Sequence, residues 1–206
     1  IPDVARLVFY NSPVIMWASI NGSIGLCIYW LKGHNRPIIY LTGLIFLGST
    51  ILFFRSKPAV NVTFFDVGQA DASLVELPKS RFLLIDTGLN QYSARTLINH
   101  LYHARPEQLD IIVTHADQDH AGGLPFIISH YPQARIHHGG WIQSTQLSTS
   151  RIRRGMTLNL GSDVRVRILN PILFGSENKD AVVIRLEYGN TAVLFTGDID
   201  SSTEKR

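Results

Sequence analysis

The tightest constraint in this chain is the run Thr114-His115-Ala116-Asp117-Gln118-Asp119-His120-Ala121-Gly122-Gly123, which sets two histidines and two aspartates within six positions. It follows Ile111-Ile112-Val113, β-branched and continuous as a buried strand is, and a strand emptying into a polar turn delivers its side chains at the edge of a sheet. His115, Asp117, Asp119 and His120 therefore leave the strand end together. Imidazole suits zinc, manganese or iron and carboxylates suit manganese or magnesium, so a mixed set can take either kind of divalent ion. Without a cation, two carboxylates this close repel each other. Gly122-Gly123 lets a following helix start close to the site, and Leu124, Phe126, Ile127 and Ile128 give that helix an apolar side to about His130. A polar turn that merely caps a helix accounts for a lone His-x-Asp; the full string after a strand points to metal.

Two long runs without charge precede this region. Leu7 to Leu31 has 25 such residues and Ile38 to Phe54 has 17, lengths that predict two transmembrane helices in a membrane segment, residues 1–56, ahead of a hydrolase domain over 57–206. Two buried core helices are the alternative, and buried helices of soluble domains seldom run this long without a charge. No small-residue cleavage site follows a short first run, as a signal peptide requires. Lys32, His34 and Arg36 lie between the runs and Arg55 and Lys57 follow the second. By the positive-inside rule the connection is cytoplasmic and the domain lies outside, at a multi-pass cell membrane. The single cysteine, Cys27, permits no disulfide within the chain and carries no information on compartment.

From Lys57 onward fifteen basic residues balance fifteen acidic ones, so bulk charge makes no case for nucleic acid. Locally the balance differs. Arg151, Arg153, Arg154, Arg165 and Arg167 are accompanied only by Asp163, a cluster able to neutralise phosphates of a DNA strand or, equally, to keep a strand edge from aggregating.

Taken in order, residues 60–65, 73–77 and 81–85 read as a meander of short strands. Leu97, Ile98 and Leu101 mark a helix from Ser93, its expected cap, to His103. The remaining strands are expected at 135–138, 164–169, 181–188 and 192–198, the last ending in Gly-Asp.

The ligand segment resembles the His-x-His-x-Asp-His signature of the metallo-β-lactamase fold, with Asp117 in place of the second histidine. That replacement, and the string Phe65-Asp66-Val67-Gly68-Gln69-Ala70-Asp71-Ala72, look like the extracellular domain of ComEC-type competence proteins, whose motif reads Asp-Val-Gly-Gln-Gly-Asp-Ala; Ala70 departs from its glycine. The resemblance implies an αββα sandwich, incomplete at the C-terminus, in a fragment of a longer protein that lacks the family's closing His-His-Gly-Ser segment. Asp86-Thr87-Gly88 is similar to the fold's first motif, which makes Asp86, with Asp66, a support behind the ligands. Phe195-Thr196-Gly197-Asp198 matches the metal-bridging aspartate, which spans two ions about 3.5 to 4 Å apart. Asp71 and Asp119 take catalytic places, Asp71 orienting water or leaving group. Glu177 to Ala181 resembles the family's Asn-x-x-Ser segment, with Asn178 a polar contact and Ala181 where serine is expected. A downstream histidine often completes the fold's first site, and His137 and His138 are candidates, although the competence branch does without one.

The expected function is therefore DNA uptake in competence: a two-ion phosphodiesterase using Mn2+, Zn2+ or Mg2+ that degrades the non-transported strand, with DNA, membrane, the rest of the channel and DNA-receptor proteins as partners. A non-catalytic DNA-binding or gating module and an envelope phosphodiester hydrolase are the competing expectations.

Overall fold

A computed structural model describes residues 4–9, 60–142, 147–160, 164–172 and 180–205, together with Gly22, Gly43, Leu44, Leu47 and Gly48. Residues 1–9 and 59–206 form one compact unit and residues 10–58 another.

The first unit holds two sheets. The larger runs in the order β1 (Val4–Phe9), β2 (Val60–Phe65), β3 (Ser73–Leu77), β4 (Arg81–Ile85), β5 (Gln108–Val113), β6 (Arg135–His138) and β7 (Thr149–Arg151). The smaller runs β11 (Thr191–Phe195), β10 (Val183–Tyr188), β9 (Val164–Asn170) and β8 (Thr157–Asn159). Strands β1 to β4 pair antiparallel and β4 to β7 parallel. The switch falls where the crossover helix α1 (Gln91–Ala104) joins β4 to β5, and α2 (Gln118–Ala121) and α3 (Leu124–His130) join β5 to β6. A parallel neighbour needs such a crossover because a tight turn cannot reverse twice.

Strand alternation decides the layers. In β4, Leu83 and Ile85 join the core between the sheets, while Phe82 and Leu84 face a second core built with Ala94, Leu97 and Leu101 of α1 and Leu124 and Ile127 of α3. In β9, Val164, Val166 and Ile168 are buried in the inter-sheet core and Arg165, Arg167 and Leu169 are exposed. Among the described residues this makes three layers of the expected αββα order, with only the short α4 (Ser201–Glu204) after β11.

Two expectations change. The helix begins at Gln91, and its cap is Asn90, whose Oδ1 accepts from the N–H groups of Tyr92 and Ser93. Ser93 is buried inside the first turn, so close to Gly88 that a Cβ there would stand 2.4 Å from the serine Cβ. Leu7 to Phe9, assigned to the first apolar run and to the membrane segment 1–56, are instead in edge strand β1, antiparallel to β2. The rest of both runs lies outside the described residues except for five helical positions, and no helix among the described residues is long and apolar enough to cross a membrane.

Candidate metal centre

The C-terminal ends of β4 and β5 are neighbours in the parallel part of the sheet, and the loops leaving them hold each other. Asp86 is buried, with φ of 59°, and its N–H donates to the Ile112 carbonyl. The amide and hydroxyl of Thr87 both donate to the carbonyl of His120 at 2.8 Å. The glycine pair is required by this closeness: a Cβ on Gly122 would lie 1.9 Å from the Leu89 carbonyl oxygen, and one on Gly123 2.0 Å from that of Thr87.

From this frame the ligand groups converge. Asp86 Oδ1 accepts from the Thr114 amide at 2.8 Å, and Oδ2 faces His120 Nδ1 at 2.9 Å and the Thr114 hydroxyl at 2.9 Å. Thr114 Oγ1 also meets His115 Nδ1 at 3.1 Å. Assigning protons by this network gives His120 Nδ1–H to Asp86, Thr114 O–H to Asp86 and His115 Nδ1–H to Thr114. In the neutral form both imidazoles keep the proton on Nδ1 and would present Nε2 to a metal, which takes the place of any proton there. His115 Nε2 is buried without a hydrogen-bond partner, and an orphaned buried acceptor of this kind is costly unless something binds it.

Carboxylates face those nitrogens. Asp117 Oδ2 lies 3.5 Å from His115 Nε2; around His120 Nε2 stand Asp198 Oδ1 at 3.5 Å, Asp119 Oδ2 at 3.8 Å and Asp71 Oδ2 at 3.9 Å. Ligand atoms of His115, His120 and Asp198 lie within 4.8 Å of one another. Asp117 occupies the N-cap position of α2 but its side chain makes no capping bond, so the plain capping role fails. Burial pulls the His120 imidazole down, but the bond and charge of Asp86, aided by Asp198 and Asp119, outweigh it and lift the pKa to about 9. Burial raises the Asp86 carboxyl against the opposing pull of His120 and Thr114. An imidazole ringed by anions and rooted in a buried carboxylate is a cation site, so the residues present fit a divalent ion.

Asp71 arrives from the β2–β3 loop, which backbone bonds tie to both ligand loops: Asp71 N–H donates to the Asp119 carbonyl and Gly88 N–H to that of Asp71. Asp66 is not brought in. It is exposed, and its Oδ1 accepts from Gly68 N–H to close a turn; the short side chain is used up locally. Neither strand histidine reaches the centre. His137 spends Nε2 on Asp110 and Nδ1 on Ser150, and His138 Nδ1 accepts from the N–H groups of Gly140 and Ile142. Asn178 lies outside the described residues. Arg165 and Arg167 are on the outer face of the smaller sheet, and Arg151, Arg153 and Arg154 in or after β7. Neither Thr114 nor Thr87 stands out in the sequence; the one available signal is the placement of each hydroxyl beside a motif residue.

The family profile of the metallo-beta-lactamase superfamily matches residues 65–205. Among curated proteins the chain is 28% identical over 180 residues to Recombination protein 2 of Haemophilus influenzae, covering 79% of this chain and 21% of that protein. It is 27% identical over 235 residues to ComE operon protein 3 of Bacillus subtilis, covering 97% of this chain and 30% of that protein. The chain thus spans less than a third of either relative's length, and both agree with the ComEC-type resemblance. A crystal structure of a metallo-β-lactamase from Hirschia baltica aligns at 15% identity with a TM-score of 0.40, over 61% of this chain and 62% of that one.

Proposed function

Since the chain belongs to the metallo-β-lactamase superfamily, we propose that its centre is that of a metal-dependent phosphodiesterase acting on DNA during uptake, attached to a membrane channel. The observation that carries this reading is the convergence of His115, His120 and Asp198 on one point with Asp86 behind them. His115 and Asp117 would hold one divalent ion, His120 and Asp119 a second, and Asp198, near both histidines, would be shared. Such ions supply positive charge against phosphate oxygens and make water more acidic. The chain's own groups do the rest. Asp86 and Thr114 fix both imidazoles by their Nδ1 protons. Asp71 is two-thirds exposed, so its Oδ2 opens to substrate and solvent and can accept a proton from the attacking water or orient the leaving group.

Support for DNA uptake comes from the two competence-type relatives. Support for the membrane comes from the uncharged runs, of which residues 10–31 still make 22 after β1 is subtracted. By the positive-inside rule the basic residues between the runs would put the domain outside.

The test is cleavage of single-stranded DNA by the full chain with added Mn2+, Mg2+ or Zn2+, beside an Asp119→Ala, His120→Ala control. Metal-dependent cleavage by the first and none by the second is expected. A folded, metal-binding chain that cleaves no DNA overturns the nuclease reading.

A further inference from the structure

We infer that the Thr114 hydroxyl is the positioning group that decides whether an ion is held at His115, while the position at His120 answers to Asp86; this deepens, and rests on, the phosphodiesterase reading above. The two imidazoles are rooted differently. His120 Nδ1 stands 2.9 Å from a carboxylate oxygen, Asp86 Oδ2. His115 Nδ1 has one partner among the described residues, Thr114 Oγ1 at 3.1 Å. The same oxygen is 3.4 Å from His120 Nδ1, the longer of the two contacts.

A hydroxyl has one proton and two lone pairs. Thr114 Oγ1 lies 3.0 and 2.9 Å from the two oxygens of Asp86, which can only accept, so the proton goes there and a lone pair is left for Nδ1–H of His115. His115 is therefore oriented at one remove from the carboxylate, through this hydroxyl. His120 needs no such intermediary.

Thr114 itself has little freedom. It is 1% exposed, its amide donates to Asp86 Oδ1 at 2.8 Å and its carbonyl accepts from Val182 N–H at 2.8 Å. Its side chain also abuts the end of β11: a Cβ on Gly197 would stand 3.1 Å from Thr114 Cβ, and Asp198 follows directly. Two substitutions take these parts in turn. Valine keeps the branched shape against Gly197 and removes the hydroxyl; serine keeps the hydroxyl and removes the methyl. Without the hydroxyl, a methyl faces His115 Nδ1. A buried N–H left unpaired is costly, so the ring turns or moves its proton to Nε2, and either change takes away the nitrogen aimed at the ion. His120 keeps its carboxylate.

The test is titration calorimetry of the full chain with Zn2+ and no DNA, with long-range 1H–15N spectra of the histidines assigning each ion by the Nε2 it shifts. Wild type should hold two ions. Thr114→Val should lose affinity at His115 roughly 10- to 100-fold and change it at His120 less than about threefold. Thr114→Ser should recover the His115 position to within about threefold of wild type, which a role in packing alone would not allow. Thr114→Ala, also without the hydroxyl, takes the place of valine if urea unfolding shows that the valine chain is not folded. Equal losses at both histidines, no loss at His115, a serine variant as impaired as valine, or a single ion in wild type would each overturn the inference. The two readings separate: a chain that behaves in this way and cleaves no DNA overturns only the nuclease, and one that cleaves DNA while Thr114→Val holds both ions undiminished overturns only the role of the threonine.

Discussion

Asp86 Oδ2 sits 2.9 Å from His120 Nδ1, both groups buried, and this contact settles which imidazole nitrogen faces the ligand cluster. A carboxylate can only accept, so Nδ1 keeps its proton, and Nε2 is the nitrogen that gives its proton up to a divalent ion. Replacing Asp86 with asparagine preserves the shape while offering an N–H in place of an acceptor. The favoured tautomer then reverses, and Nε2 carries a proton where a ligand lone pair is required. Divalent-ion affinity measured by calorimetry should fall roughly 10- to 100-fold in Asp86→Asn, the usual range for losing a group that orients a ligand. Unchanged affinity would show that the centre is ordered by something other than this pair.

The glycines of the ligand segment make a prediction of unusual sign. In an exposed helix, glycine to alanine ordinarily stabilises, because glycine loses more chain entropy on folding. At Gly122 the new methyl would meet the Leu89 carbonyl at 1.9 Å, backbone against backbone. Gly122→Ala should therefore destabilise by about 1 to 3 kcal/mol, as overpacking does. Urea unfolding of the full chain measures it, and a midpoint equal to or above wild type would mean that the loops are not held this closely.

Much of this is legible in the residues alone, and the boundary is physical. The alternation of β9 and the crowding of His115, Asp117, Asp119 and His120 are local patterns, so the chain states them outright. The cap is Asn90 and not Ser93 because the Asn90 side chain takes the first free amides, those of Tyr92 and Ser93, which leaves Ser93 inside the first turn. Strands β7 and β8, three residues each, are too short and polar for an alternation to show; half of β1, Leu7 to Phe9, falls in the apolar run that reads as membrane. Thr114 is invisible as a support for the imidazoles because its partner, Asp86, is 28 residues away. Asp66 shows the reverse failure. It sits in a string that resembles the competence-type motif, yet its side chain serves only its own turn.

His138 predicts a pH dependence. Burial, reinforced by the charges of Arg151 and His137, lowers its pKa to about 4. Its Nδ1 is occupied as an acceptor of two amide protons at 3.1 Å, which an imidazolium cannot be. The unfolded histidine takes up a proton near its ordinary value of about 6.5, whereas the folded one resists until about 4. Folding stability is therefore complete above about pH 6.5 and declines as the pH falls from there toward 4, by on the order of 2 kcal/mol from this residue. In His138→Asn, whose side-chain oxygen can accept without titrating, urea midpoints should fall less over the same interval. An identical decline in both proteins would assign the acid sensitivity to other groups.

The last prediction concerns the opposite end of β5. Asp110 is 1% exposed and is held by Arg135 in a two-point ion pair, Nε to Oδ1 at 2.9 Å and Nη2 to Oδ2 at 2.7 Å, with His137 Nε2 and Gln108 Nε2 completing its bonds. Removing Arg135 leaves the Asp110 charge with only His137 and Gln108, and because the guanidinium is half-exposed water can replace part of it, so Arg135→Gln should cost about 1 to 3 kcal/mol. Asp110→Asn alone should also destabilise, since an amide answers the guanidinium poorly. Combined, the two leave no net charge to strand, so the double variant should be more stable than the sum of the single losses by about 2 kcal/mol, a coupling typical of directly bonded neighbours. Strictly additive losses in a double-mutant cycle would mean that the guanidinium, half-exposed at 48%, is bound more by water than by Asp110.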